Sequence, residues 1–241
     1  MQTSLPVALS AQIAMEKRME TIANNVANVG TAGFRAEEVK FESYLSTTAR
    51  SRTAFVSSGE TFISTRTGPM NQTGNELDMA ISGDAWFAFQ GPNGTAYTRD
   101  GRMKLSEEGE LLTLTGRPIL DVGGAPLLVD PAGGSIAIAR DGMITQNGAQ
   151  LGAVGLFQMQ PGTQLSRTDT SGVLPDRAPT PMLDFNEVNV VQGFVEGSNV
   201  NPILEITRLI EVQRAFEQAA NLTQTSERSL DSAISLLGAP K

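Results

Sequence analysis

From Leu209 to Leu237 the positions Leu209, Val212, Phe216, Ala219, Thr223, Ser226, Leu230, Ala233 and Leu237 follow one another by alternating steps of three and four. This seven-residue repeat predicts a long helix carrying a coiled-coil seam. Asn201 before Pro202 offers a helix cap and a proline at the first helical position, and Gly238 with Pro240 closes the other end. From Ile203 to Leu237 such a helix would run roughly 50 Å at 1.5 Å per residue, longer than a globular core usually holds. Its stripe therefore needs a mate.

The opposite terminus offers one. Ala8, Met15, Met19, Ile22, Val26 and Val29 fall on one stripe of an amphipathic helix, with Lys17, Glu20, Asn24 and Asn28 on the other side. Ser4 and Pro6 fit its first turn, and Gly30 and Gly33 fit its stop. Between the two helical stretches the period changes to two: Leu77, Met79 and Ile81, then Phe87 with Phe89, Met103 with Leu105, and Ile136 with Ile138. Glycines recur between these runs, several after Asn, Asp or Gly, as hairpin turns require.

The expected fold is α+β: a hairpin-rich antiparallel β domain flanked by long N- and C-terminal helices that pair as a coiled coil. Its parts would be an N-terminal helix in residues 1–35, an extended connector in 36–75, the β domain in 76–196 and a C-terminal helix in 197–241. A lone helix pair leaves apolar surface on its outer sides, costly at about 25 cal/mol per Å². Other copies of the chain could cover it, or the helices could fold back on their own sheet. The heptad regularity favours the first arrangement.

Composition narrows the chemistry. The 241 residues include neither Cys nor His, which removes thiol nucleophiles, disulfides, imidazole bases and zinc sites built on these residues. A formal net charge of −8 argues against nucleic acid and anionic lipid as partners. No catalytic, cofactor or metal residues are expected: Asp78, Asp84, Asp100 and Asp141 each sit beside a strand or a turn glycine, without EF-hand spacing. Asn71-Gln72-Thr73, Asn93-Gly94-Thr95 and Asn221-Leu222-Thr223 fit the glycosylation sequon, a tripeptide that often arises by chance. The stretch from Met1 to Val7 lacks the basic and apolar regions of a secretory signal, and no run of about 18 apolar residues suggests a membrane span.

Three blocks carry a resemblance. Ala23-Asn24-Asn25-Val26-Ala27-Asn28-Val29-Gly30-Thr31-Ala32-Gly33-Phe34-Arg35 is similar to the N-terminal motif of the flagellar axial proteins, the rod and hook family. Thr73 to Gly83 with Tyr97-Thr98-Arg99-Asp100-Gly101 resembles the same family, as does Glu196-Gly197-Ser198-Asn199-Val200-Asn201-Pro202 followed by Arg214-Ala215-Phe216-Glu217. Trp86 within Gly83-Asp84-Ala85-Trp86-Phe87 favours the proximal rod branch over the distal rod or hook branches.

The resemblance implies a structural subunit, not an enzyme, of a helical tubular rod that crosses the periplasm and transmits torque from motor to hook. It implies self-association, other rod proteins and the flagellar export apparatus as partners, export without a cleaved signal peptide, and no membrane insertion. Assembly contacts would then fall on Met19, Ile22, Asn24, Asn25, Val26, Asn28, Gly33, Phe34, Leu209, Val212, Phe216, Leu230 and Leu237. The asparagines are poor helix formers, so hydrogen bonds at subunit contacts or in the helix-ending turn would explain them. The rival reading is a β binding module on a coiled-coil stalk.

Overall fold

The computed structural model describes residues 4–46, 53–57 and 59–237. Helix α1 spans Ser4–Ala27 and helix α2 spans Pro202–Leu237. Asn201 caps α2: its Oδ1 accepts from the Leu204 amide at 3.2 Å and its carbonyl from the Glu205 amide at 3.0 Å. Past α1 the chain turns where the Thr31 amide donates to the Asn28 carbonyl, and Gly33 takes a left-handed φ of 68°.

The chain divides into two compact units, a helical unit drawn from residues 1–27, 37–62 and 201–241 and a β unit of residues 28–36 and 63–200. In the helical unit α1 packs along α2 and also against the strands Glu37–Lys40 and Thr53–Val56. Those strands belong to two-stranded ribbons, Glu37–Lys40 with Glu60–Ile63 and Ser43–Ser46 with Thr53–Val56. The stretch 36–75, read from the sequence as an extended connector with room for a hairpin, carries these strands.

The expected coiled-coil pairing is corrected by this arrangement. A coiled coil buries a continuous seam between helices, whereas here only Val212 of the described seam is buried, with Leu209, Phe216, Ala219 and Thr223 half-buried. On α1 the deepest apolar side chains are Ile22 and Ala14. Small seam residues such as Ala219 and Thr223 cannot fill knob positions, and the ribbons take a share of the α1 surface that a second helix would otherwise cover.

Within the β unit a six-stranded antiparallel sheet runs in the order Leu165–Arg167, Gly172–Pro175, Gly94–Thr98, Trp86–Gly91, Leu156–Gln158, Thr180–Pro181. The central strand Trp86–Gly91 is buried on both faces. Phe87 and Phe89 join Ala96, Ile119 and Leu156 in one core, while Trp86 and Ala88 join Tyr97, Leu120, Phe157 and Val173 in another. Layers on both sides explain why this strand reads as an apolar run and not as a half-polar one. A three-stranded sheet, Ile136–Ile138, Met143–Gln146 and Ala149–Ala153, lies in the same unit, with a bulge after Ile144.

Residues 111–134 contain an eight-residue repeat. Leu111, Ile119 and Leu127 hold equivalent places and close a ring of backbone bonds: Leu111 donates to Leu127, Leu127 to Ile119 and Ile119 to Leu111, at 2.9, 3.1 and 2.8 Å. The two turns between them are fastened alike, by Thr113 Oγ1 accepting from the Arg117 amide and Asp121 Oδ1 from the Ala125 amide. Each repeat places its first apolar residue in the core, and Leu111, Ile119 and Leu127 are all buried.

Candidate functional site

The asparagines near the end of α1 are placed differently. Asn25 is buried inside the helical unit. Its amide meets both polar atoms of the Glu37 backbone, with Nδ2 donating to the carbonyl and Oδ1 accepting from the amide, each at 2.8 Å. The side chain thereby acts as a neighbouring strand would, satisfying the start of Glu37–Lys40. Nδ2 also donates to Glu205 Oε2 at 3.4 Å, and Arg208 pairs with Glu205 Oε1 at 2.7 Å. Asn24 and Asn28 are half-buried. Among the other expected contact residues Ile22 is buried and Met19 and Val26 are half-buried; the side chains of Leu230 and Leu237 lie outside the described residues.

Gly33, Phe34 and Arg35 belong to the β unit, where they meet the other two sequence blocks around one carboxylate. Glu196 is 1% exposed. Its Oε1 accepts from Arg35 Nη2 and from the Gly68 amide, both at 2.8 Å, and its Oε2 from Arg99 Nε at 2.6 Å. The Glu196 backbone carbonyl accepts from the Gly33 amide at 2.8 Å. Arg99 spends its remaining donors on the loop 81–85, bonding the carbonyls of Ile81 at 2.9 Å, Gly83 at 3.0 Å and Ala85. A planar guanidinium with five fixed donors suits this fan of acceptors; an ammonium group does not.

Arg35 completes the cluster at some cost. Burial lowers its pKa to about 10, while Glu196 opposes the shift, so it stays protonated near neutrality. Its Nε and Nη1 find no partner, and the guanidinium lies 5.5 Å from the Trp86 ring centroid, where the aromatic face offsets part of the lost hydration. Arg167 stacks 4.3 Å over the Phe34 ring and donates to the Arg35 carbonyl at 2.7 Å. Gly33 has no substitute here, because a Cβ would sit 2.1 Å from the Asp100 amide nitrogen. Two guanidiniums on one carboxylate, all three side chains buried, make a structural lock. No group of three or more acidic side chains suited to a metal ion occurs among the described residues.

Two open surfaces of the helical unit carry apolar side chains. A groove of about 390 Å³ is lined by Ala11, Ala14, Met15, Arg18, Phe41, Glu211, Val212 and Ala215. On the opposite face of α2, Ile203, Ile206 and Ile210 are 78%, 48% and 46% exposed. Their spacing of three and four makes one stripe, which ends where Gln213, Arg214 and Glu217 take over that face. Sequence reasoning followed the heptad and missed this stripe, although the same helical periodicity applied to Ile203 would have found it.

Comparison with known proteins points one way. Three family models match: "Flagella basal body rod protein" over residues 5–35, "Flagellar hook protein FlgE/F/G D1 domain" over 80–146 and "Flagellar basal body rod FlgEFG protein C-terminal" over 191–236. The chain is 51% identical over 238 residues to the flagellar basal-body rod protein FlgF of Mesorhizobium japonicum, covering 99% of each chain. It is 50% identical to the FlgF protein of Rhizobium meliloti over the same share of both. Similarity to the FlgG rod protein of Bacillus subtilis is 30% over 265 aligned residues, 98% of this chain and 99% of the relative.

Proposed function

The chain belongs to the flagellar basal-body rod protein family and is a structural subunit of the flagellar rod, and from that premise we propose that its helical unit makes the contacts between subunits. The supporting observation is the uncovered apolar surface of that unit: the groove beside Val212 on one face of α2 and the Ile203–Ile206–Ile210 stripe on the other. Burying one isoleucine side chain is worth about 1.5–3 kcal/mol, so three on one stripe contribute substantially to association. Because groove and stripe are different surfaces, seating one copy's stripe in the next copy's groove is a heterologous contact. Such contacts repeat as an open helical stack, the geometry of a rod.

Family membership also supports the periplasm as the working location, torque transmission from motor to hook as the load, and other rod proteins and the flagellar export apparatus as partners. The β unit, with its closed cores, serves as a compact body carried by the subunit.

The test is a double substitution, Ile206→Glu with Ile210→Glu, in the full chain. The purified protein should keep its circular dichroism and its unfolding midpoint, since both side chains already face solvent. Cells carrying it should make basal bodies that stop short of a hook, as seen by electron microscopy of isolated basal bodies. Complete basal bodies and normal swimming would refute this assignment of the contact surface.

A further inference from the structure

The chain holds two Asn-Gly pairs, Asn93-Gly94 and Asn147-Gly148, and each stands at the tip of a hairpin. In the first, Pro92 and Asn93 form the turn between the strands Trp86–Gly91 and Gly94–Thr98, closed by the pair Gly91 and Gly94. In the second, Asn147 and Gly148 join Met143–Gln146 to Ala149–Ala153. Both asparagines are exposed, so exposure does not separate them.

What separates them is how the carboxamide is held. Asn147 Nδ2 donates to the Gly133 carbonyl at 2.5 Å, and its backbone takes a left-handed φ of 51°. No hydrogen bond holds the Asn93 carboxamide among the described residues, and nothing lies within 4 Å of where a Gly94 Cβ would be. The Asn93 side chain is free to swing toward the following amide nitrogen, which carries no flanking side chain and attacks once it leaves its place opposite Gly91 at the open end of the ladder.

We propose that Asn93 is a site of spontaneous backbone-assisted deamidation and that Asn147 is protected from it. The deprotonated amide nitrogen of Gly94 attacks Cγ of Asn93 and forms a new C–N bond. The carboxamide C–N bond then breaks, and its nitrogen leaves as ammonia after taking up a proton. The resulting five-membered succinimide is opened by water at either carbonyl, which yields an aspartyl or an isoaspartyl residue at position 93. No electrons are transferred, and water is the sole co-reactant. Either product adds a negative charge to a chain already at −8. The isoaspartyl product also lengthens the backbone by one carbon, between the two residues that close the hairpin.

The full-length protein, incubated in mildly alkaline buffer, should be sampled over time and its peptides sequenced by a fragmentation method that distinguishes aspartyl from isoaspartyl linkages. The peptide holding Asn93 should convert to a mixture of both, while the peptide holding Asn147 keeps its amide over the interval in which half of Asn93 is lost. Asn93→Gln, which would have to close a six-membered ring, should abolish the conversion without altering the fold at this exposed turn. Equal conversion at both asparagines, or an intact Asn93 in folded protein when the unfolded chain converts, would overturn the proposal.

Discussion

A single carboxylate decides more about this molecule than any other residue. Glu196 offers two oxygens, and both are fully engaged by Arg35, Arg99 and the Gly68 amide, in surroundings that exclude water. Removing its charge leaves two buried guanidiniums repelling each other, with the charge of Asp84 acting on Arg35 as a weaker offset. Glu196→Gln is therefore expected to destabilise the β unit by about 3–5 kcal/mol, the range found when one partner of a buried ion pair is lost. Equilibrium unfolding in urea, followed by the fluorescence of Trp86, the only tryptophan, checks it. A change below about 1 kcal/mol would mean that the cluster contributes no more than a surface pair. The identity of the third member could not be read from spacing, because 97 residues separate Arg99 from Glu196 and the pairing exists only in three dimensions.

At the scale of elements, α1 is tied to the strand after it by the Asn25 amide. Asn25→Ala would remove both bonds between its carboxamide and the half-buried Glu37 backbone, at about 1 kcal/mol for each bond. Asn25→Asp keeps the acceptor for the Glu37 amide, loses the donor, and sets a second carboxylate near Glu205; it should be at least as harmful at neutral pH. Chemical denaturation of the two variants side by side provides the measurement, and a harmless aspartate would exclude the Glu205 contact. The helices and the hairpin-rich middle were legible in the sequence because they are repeating patterns, of periods near 3.6 and 2. The weakness of Asn24, Asn25 and Asn28 as helix formers was legible too, but not the reason: a side chain standing in for a strand leaves no local signature. The eight-residue repeat escaped for another cause. Its strands are too short for alternation to register, and the signals that betray it are the recurring Gly116 and Gly124 with Pro118 and Pro126, one place before Ile119 and Leu127. The coiled-coil expectation failed since a heptad records which face of α2 is inward and is silent about how much of the facing helix α1 is taken up by ribbons.

For the whole molecule, the division into two units sets how it comes apart. The β unit closes two apolar cores, whereas the helical unit keeps Leu9, Ile13, Ile203 and Ile206 in solvent and has few fully buried side chains among its described residues. Calorimetry of the unassembled chain should show two transitions, the lower one from the helical unit. Glu196→Gln should move only the upper one. One merged transition, shifted as a block by that substitution, would show that the units unfold as one. The backbone leaves the β unit at residues 28, 36, 63 and 200, and all three segments that carry these exits are fastened near the same carboxylate: 28–36 through Gly33 and Arg35, 63–68 through Gly68, and 196–200 through Glu196 itself. A pull on any of these tethers arrives at one mooring, so a twisting shaft built from such subunits would share each jolt among several strands of chain and leave no single one to stretch alone.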